Sequence, residues 1–281
     1  MKALVTGGAG FIGTNLIKRL LSDDYDVVSI DNYSTGKKEN HQDGCLYYDY
    51  DLSYNYVRDD GDRYDVIFHM GALARIQPSF DNPLETFNAN VLSTLHILEY
   101  ARKNNIRVIY AGSSSVHGGA YKNPYTFTKW QGDKLCHMYS ELFKVPVNVC
   151  RFYNVYGPYH LTEGEYCTVV GIFERQYKNK EPLTITWDGE QRRDFTHIDD
   201  IVDGLVLTAE CKSWGLTLEL GRGKNYSINE LADMFGKDYP KEYIDRRPGE
   251  TKSTLCDTGL AYSVVGYQPR KNIEDYINKI K

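Results

Sequence analysis

No stretch of this chain approaches the roughly 20 consecutive apolar residues of a membrane-spanning helix. Lys2 leads straight into a short apolar run, so neither an anchor nor a cleaved leader is expected. No basic cluster marks a nucleic-acid face, and 38 acidic residues against 33 basic ones leave a net charge of −5. The six cysteines (Cys45, Cys136, Cys150, Cys167, Cys211 and Cys256) form neither a C-x-x-C pair nor a metal-like grouping. Most lie in apolar segments, the pattern of reduced core thiols in a cytoplasmic protein rather than of disulfides or a metal centre. Repeats, low-complexity tracts and linkers are also lacking. The 281 residues, 41% hydrophobic and 25% charged, read as a globular chain with ample core, in two parts packed as one unit.

What is present is alternation. Ala3–Thr6 reads as a short buried strand, followed by a turn with Gly7, Gly10 and Gly13 and an amphipathic helix through Leu16, Ile17, Leu20 and Leu21. A G-x-x-G-x-x-G turn between strand and helix lets backbone N–H groups approach a pyrophosphate, although a tight turn without a ligand has the same glycines. The next strand, Asp26–Ile30, ends in Asp31-Asn32. An acid there, about 20 residues after the glycines, can accept both hydroxyls of an adenosine ribose and repels a 2′-phosphate, which favours NAD over NADP. Leu46–Tyr48 is a weaker strand. Asp65–His69 is a clear one, ending in the small residues Gly71, Ala72 and Ala74. Asn82-Pro83 starts a long helix through Phe87, Val91, Leu95, Leu98 and Ala101, and Val147–Phe152 supplies a further strand. Strand–helix alternation up to this point predicts an α/β, doubly wound parallel sheet.

Between these elements lies Ile106–Trp130, a buried strand running into Ser113, Ser114 and Ser115, then a short polar loop and a marked helix start. Asn123 suits the N-cap and Pro124 the first helical position. Tyr125 and Lys129 then project from one helix face. A nearby ammonium and an oxidised nicotinamide would favour the phenolate and make Tyr125 a usable base. The Tyr-x-x-x-Lys spacing occurs three times, at Tyr33/Lys37, Tyr125/Lys129 and Tyr267/Lys271, near chance for 24 tyrosines. Gly36 and Pro269 spoil the other two as helical pairs. After Phe152 the rhythm changes. Tyr153–Pro158 reads as loop, residues 168–177 as helix, Leu183–Trp187 as strand, Ile198–Ala209 as helix and Leu216–Leu220 as strand. Arg246–Glu250 is a basic turn, and the end of the chain is helical.

In order, the stretches TGGAGFIG, DNYSTG, YDVIFHMGALA, GSSSVHG, YTFTK, RFYNVYGP, DGEQRRDFTHIDD and RRPGE cover nearly the whole chain. The chain resembles the extended short-chain dehydrogenase/reductase family, and within it the NAD-dependent nucleotide-sugar epimerases of the UDP-galactose 4-epimerase type. The resemblance implies a Rossmann-type NAD-binding part over residues 1–153, rejoined by about 194–220, and a nucleotide-sugar-binding part over 154–281. It implies that Gly7, Gly10, Phe11, Ile12 and Gly13 hold the NAD pyrophosphate, Asp31 and Asn32 the ribose, and Asp51 and Leu52 the adenine. Gly71, Ala72, Ala74 and Asn90 join the cofactor site. Ser113, Tyr125 and Lys129 match the catalytic residues, Lys129 also holding the nicotinamide ribose, and Ser114, Asn154, Arg193, Arg247 and Thr254 match substrate positions.

The chemistry implied is transient oxidation at C4 of the sugar, followed by return of hydride to the opposite face, so that NAD is recycled. A 4,6-dehydratase of this family carries Asp-Glu directly after its catalytic Thr, and its decarboxylases carry Glu at the second of those positions. Here they are Ser114 and Ser115, which favours epimerisation over dehydratase, decarboxylase or reductase chemistry. A non-catalytic NAD-binding sensor would typically lose the Tyr or Lys, both kept here. UDP-glucose/UDP-galactose and UDP-GlcNAc/UDP-GalNAc are both open. Thr254, small at the position where the family discriminates N-acetylated sugars, predicts room for a 2-N-acetyl group. The segment between Ser113 and Tyr125 is shorter than in the family, and His117 replaces a usual Tyr, which predicts a more open sugar pocket. The helices Pro83–Lys103 and Tyr125–Lys144 are those the family uses to dimerise. Their Phe87, Val91, Leu95, Met138 and Leu142 suit either a homodimer interface or the core.

Overall fold

The computed structural model describes residues 1–57 and 63–281. Seven parallel strands form its main sheet: β1 (Lys2–Thr6), β2 (Asp26–Asp31), β3 (Cys45–Asp49), β4 (Val66–His69), β5 (Arg107–Ser113), β6 (Val147–Phe152) and β7 (Thr217–Leu220). Their order is β7-β6-β5-β4-β1-β2-β3, so the strand order reverses between β1 and β4, where a crevice opens at the strands' carboxyl ends. The fold is the expected Rossmann-type α/β architecture. β7 pairs with β6 from Thr217↔Val149 to Leu220↔Phe152, returning the chain to the first sheet after an excursion of some length.

Both faces of the sheet are covered, which is why β4 is buried at every position and reads as an unbroken apolar run. On one face Leu16, Ile17 and Leu20 of helix α1 (Phe11–Ser22) pack with Ile201, Leu205 and Ala261. On the other, Ile97, Leu98 and Ala101 meet Cys136 and Tyr139 of helix α2 (Pro124–Phe143). A third cluster, Phe173, Leu183, Ile185, Phe195, Leu231 and Phe235, forms the core of the remaining part.

Two elements differ from expectation for physical reasons. The helix expected from Pro83 is interrupted by a wide turn over Asn88–Leu92 between Pro83–Phe87 and Ser93–Asn104. Such bulges re-aim side chains, and Asn90 on this one bonds to the chain after β4. The expected loop Tyr153–Pro158 contains a two-residue strand, Val155–Tyr156, parallel to Thr196–His197. A strand that short is made by its distant partner and leaves no local periodicity. The pairs Asn225–Ser227 with Arg192–Asp194 and Lys241–Ile244 with Leu183–Thr186 also arise from distant pairing. The helix Ile228–Phe235 carries a signal that the sequence reading passed over: Ser227 and Glu230 form a capping box.

Candidate active site

A cleft of about 730 Å³ runs across the carboxyl edge of the sheet, walled by the glycine turn on one side and the Arg193, Arg247 and Thr254 segments on the other. The glycines divide their work. Gly7 has φ +69°, and a Cβ on it would lie 2.7 Å from the Cα of Gly71. A Cβ on Gly13 would lie 2.1 Å from the carbonyl of Gly7, so these two permit close backbone packing. A Cβ on Gly10 meets only the Gly7 carbonyl, at 3.3 Å, and Gly10, Phe11 and Ile12 line the cleft. That arrangement fits a dinucleotide pyrophosphate at the start of α1.

Asp31 also lines the cleft and braces the turn, accepting hydrogen bonds from the N–H of Ala9 at 2.9 Å and of Tyr33 at 2.8 Å. Burial pushes its carboxyl above the usual range, against those two bonds. Asn32 donates to Asp51 at 3.1 Å. Asn32 and Leu52 reach the cleft, whereas Asp51 faces an adjoining hollow shared with Asn32. Gly71, Ala72 and Ala74 line the floor. Asn90 does not reach the cleft wall. Its amide accepts from the N–H of Leu73 at 2.8 Å and donates to the Leu73 carbonyl and to Thr128, both at 3.0 Å. It braces the cofactor loop from behind, with its polar atoms already engaged.

The helix start expected at Asn123 is formed: its side chain accepts from the N–H of Thr126, Pro124 follows, and Tyr125 enters the first turn. Ser113 ends β5, so strand end and helix start converge. The Tyr125 hydroxyl donates to Ser113 Oγ at 3.1 Å, and the Tyr125 N–H donates to Ser79. Ser113 Oγ also accepts from the N–H of Ser115 at 3.2 Å and donates to its hydroxyl at 3.0 Å. Ser114 lines the cleft beside them. Lys129 is 4% exposed, and its ammonium donates to the Ala111 carbonyl at 2.9 Å.

The electrostatics differ from the sequence expectation. Burial raises the Tyr125 phenol above its usual pKa, opposed by the Ser113 hydrogen bond and by the guanidinium of Arg75. Burial also lowers Lys129 to about 8, with Asp133 one turn on favouring its charge. Asp133 is itself held by Arg151 at 2.7 Å. In the ligand-free protein Lys129 therefore sheds its proton before Tyr125 does. The permanent cation acting on the phenol is Arg75, which sequence reasoning missed. The signal was one charged residue closing the small-residue run GALAR.

On the opposite wall Arg193 is largely buried. It donates to Glu250 at 3.4 Å and to the carbonyl of Arg192, and burial lowers its pKa. Arg247 is exposed at the cleft mouth. Asn154 bridges the Asp194 carbonyl, 3.2 Å away, and Thr254 Oγ1, 3.4 Å away. The short segment after Ser113 does not simply open the pocket. Gln77 donates to the Pro248 carbonyl at 2.9 Å and Asn123 to the Gly249 carbonyl at 3.2 Å. The basic turn thus closes directly onto the shortened loop and supplies that wall.

A family model described as the NAD dependent epimerase/dehydratase family matches residues 3–217. The UDP-glucose 4-epimerase of Mycolicibacterium smegmatis is 30% identical, the alignment covering 99% of this chain and 97% of the relative. Among solved structures, the UDP-glucose 4-epimerase of Thermotoga maritima with UDP-glucose has TM-score 0.91 at 26% identity, covering 99% of this chain and 96% of that one. The UDP-glucuronic acid 4-epimerase of Bacillus cereus, in complex with UDP-glucuronic acid and NAD, has TM-score 0.88 at 30% identity and covers all of both chains. With the glycine turn, Asp31 and the Ser113–Tyr125–Lys129 trio in one cleft, the chain belongs to the NAD dependent epimerase/dehydratase family, an isomerase fold that uses NAD as its cofactor.

Proposed function

We propose that this protein inverts C4 of a UDP-linked sugar by transient oxidation and reduction. The observation that carries the reading is the 3.1 Å hydrogen bond from Tyr125 to Ser113 at the junction of the two cleft walls. Bound NAD supplies a reversible acceptor and donor of hydride. Tyr125, as phenolate, takes the proton of the sugar 4-hydroxyl and returns it after inversion, while Ser113 hydrogen-bonds the same oxygen. Arg75 is the cation that offsets the phenolate charge, and Lys129 holds the nicotinamide ribose. Gly10, Phe11 and Ile12 seat the cofactor diphosphate, Asp31 and Asn32 the adenosine ribose, and Asp51 and Leu52 the adenine. Arg193 exchanges Glu250 for the nucleotide diphosphate, with Arg247 closing from the mouth. Ser114 and Asn154 contact the sugar–phosphate end, and Thr254 leaves room for a 2-N-acetyl group.

Ser114 and Ser115 stand where a dehydratase needs an acid and a base, and the Ser115 hydroxyl is engaged by Ser113. That supports epimerisation over elimination. A cytoplasmic homodimer is the assembly proposed: all six cysteines are free thiols, and Leu84, Met138 and Leu142 are exposed on the two helices flanking β5. Isomer- and mass-resolved analysis of UDP-glucose, UDP-GlcNAc and UDP-glucuronic acid after incubation tests the reading. An isomer of unchanged mass without net NADH supports it; a product lighter by water overturns it.

A further inference from the structure

The cleft contains a cation at its reacting end that the proton chemistry above leaves incompletely matched. Arg75 donates from Nε to the carbonyl of Tyr166 at 2.8 Å and from a terminal nitrogen to its neighbour Ala74 at 2.9 Å. Both acceptors are neutral. Among the described residues no carboxylate acts on this guanidinium; the groups that do are the Tyr125 phenol, the Cys167 thiol and the Tyr166 phenol. Burial lowers its pKa, but an arginine starts so high that it stays charged at neutral pH. A partly buried charge held only by carbonyls is costly until an anion completes it. A guanidinium has five N–H donors in a planar fork that matches a carboxylate, and these two bonds leave most of that fork available.

The position of Arg75 narrows the anion. The cofactor diphosphate belongs at the Gly7–Gly13 turn. The nucleotide diphosphate belongs at Arg193, which has its own exchangeable carboxylate in Glu250. Arg75 instead immediately precedes the short helix Ile76–Asp81, whose Ser79 accepts the Tyr125 N–H, and it lines the cleft together with Ser113 and Tyr125, where C4 of the sugar reacts. An anion at that point has to be carried by the sugar ring itself. C4 of an aldohexose lies between C3 and C5: an acid at C3 has to be added as a substituent, whereas C5 carries C6, which as a carboxylate belongs to the sugar's own carbon chain. We infer that Arg75 is a specificity-determining residue that pairs with the C6 carboxylate of a UDP-linked hexuronic acid.

This inference rests on the epimerase reading for the placement of C4. It is independent of Thr254, which addresses the substituent at C2. It also has a chemical consequence. Once C4 is a ketone, a C6 carboxylate is β to it and prone to leave as carbon dioxide, with its charge passing to an enolate. An ion pair with Arg75 holds the charge on the carboxylate and opposes that loss.

The test compares the NAD-loaded wild type with Arg75→Gln and Arg75→Lys. Calorimetry with UDP, UDP-glucose and UDP-glucuronic acid, which match at C2, reads binding. Isomer-resolved product analysis reads turnover. Wild type is expected to bind UDP-glucuronic acid about 10- to 100-fold tighter than UDP-glucose, the range of a charge-assisted hydrogen-bonded pair. Arg75→Gln should equalise the two sugars while UDP affinity and NAD retention stay unchanged, and Arg75→Lys should restore part of the difference. Wild type binding UDP-glucose as tightly as UDP-glucuronic acid overturns the inference. So does an Arg75→Gln protein that loses UDP, NAD or its folded state as severely as it loses the uronate. Preferred binding of UDP-glucuronic acid without epimerisation, or with release of carbon dioxide, upholds the carboxylate subsite and overturns the epimerase reading instead.

Discussion

The two walls of the cleft are built in opposite ways. The nucleotide wall is local: Gly7, Gly10 and Gly13 lie within one turn, and Asp31 closes the next strand, bonding back to Ala9. Its chemistry is mostly backbone, so spacing alone describes it. The sugar wall is assembled from pieces far apart in the chain. Arg193 meets Glu250, Asn154 meets Thr254, and Asn123 meets Gly249. Ser113, Tyr125 and Lys129 sit at the seam, where a strand end meets a helix start. A local site resists change in partner elements but not in its own backbone; an assembled site is the reverse.

Changes at the seam should have the largest effect. Tyr125→Phe keeps the ring and the fold but removes the proton carrier, so kcat should fall about 10²- to 10⁴-fold with NAD still bound. Single-turnover product analysis on the holoprotein checks this. Next comes the local wall. Gly13→Ala places a methyl 2.1 Å from the Gly7 carbonyl, and about 1–3 kcal/mol of stability should be lost, together with NAD retention. Thermal unfolding with and without NAD would show it, and a variant that keeps both would break the comparison. In the assembled wall, Arg193→Ala should raise KM for the nucleotide sugar about 10- to 100-fold while leaving NAD retention alone.

A smaller effect comes from Lys129. Its folded pKa of about 8 lies below the roughly 10.4 of an unfolded lysine. Between those values the unfolded chain binds more protons, so this group makes ligand-free stability rise with pH across that window, and below it the buried charge is a penalty. Lys129→Met should remove that slope in denaturant unfolding measured along the same pH series. The smallest effect is at the cap. Asn123→Ala should cost about 1 kcal/mol through the lost bond to the Thr126 N–H, read as a lower unfolding midpoint.

The same contrast explains what the sequence revealed. The main sheet, α1, α2 and the Ile198–Ala209 helix follow from periodicity and from caps within a few residues of each other. The Tyr125 helix start was legible because Asn123 and Pro124 adjoin it. Arg75 was not, since nothing in GALAR says that its guanidinium will act on a phenol of another element. The two-residue strand Val155–Tyr156 was also hidden, because it exists only through its pairing with Thr196–His197. The wall over the shortened loop comes from the basic turn more than 100 residues later, a contact with no local trace. Asn90 shows the converse: a family position whose side chain, once placed, braces the loop after β4 and never meets the cleft.

The most direct test of transient oxidation at C4 uses UDP-glucose, UDP-GlcNAc and UDP-glucuronic acid, each deuterated at C4 and incubated with the NAD-loaded protein. The account predicts that the accepted sugar yields its C4 isomer with unchanged mass and the deuterium still on C4, and that no NADH accumulates. Deuterium lost to solvent, deuterium recovered in free NADH, or a product lighter by water would contradict it.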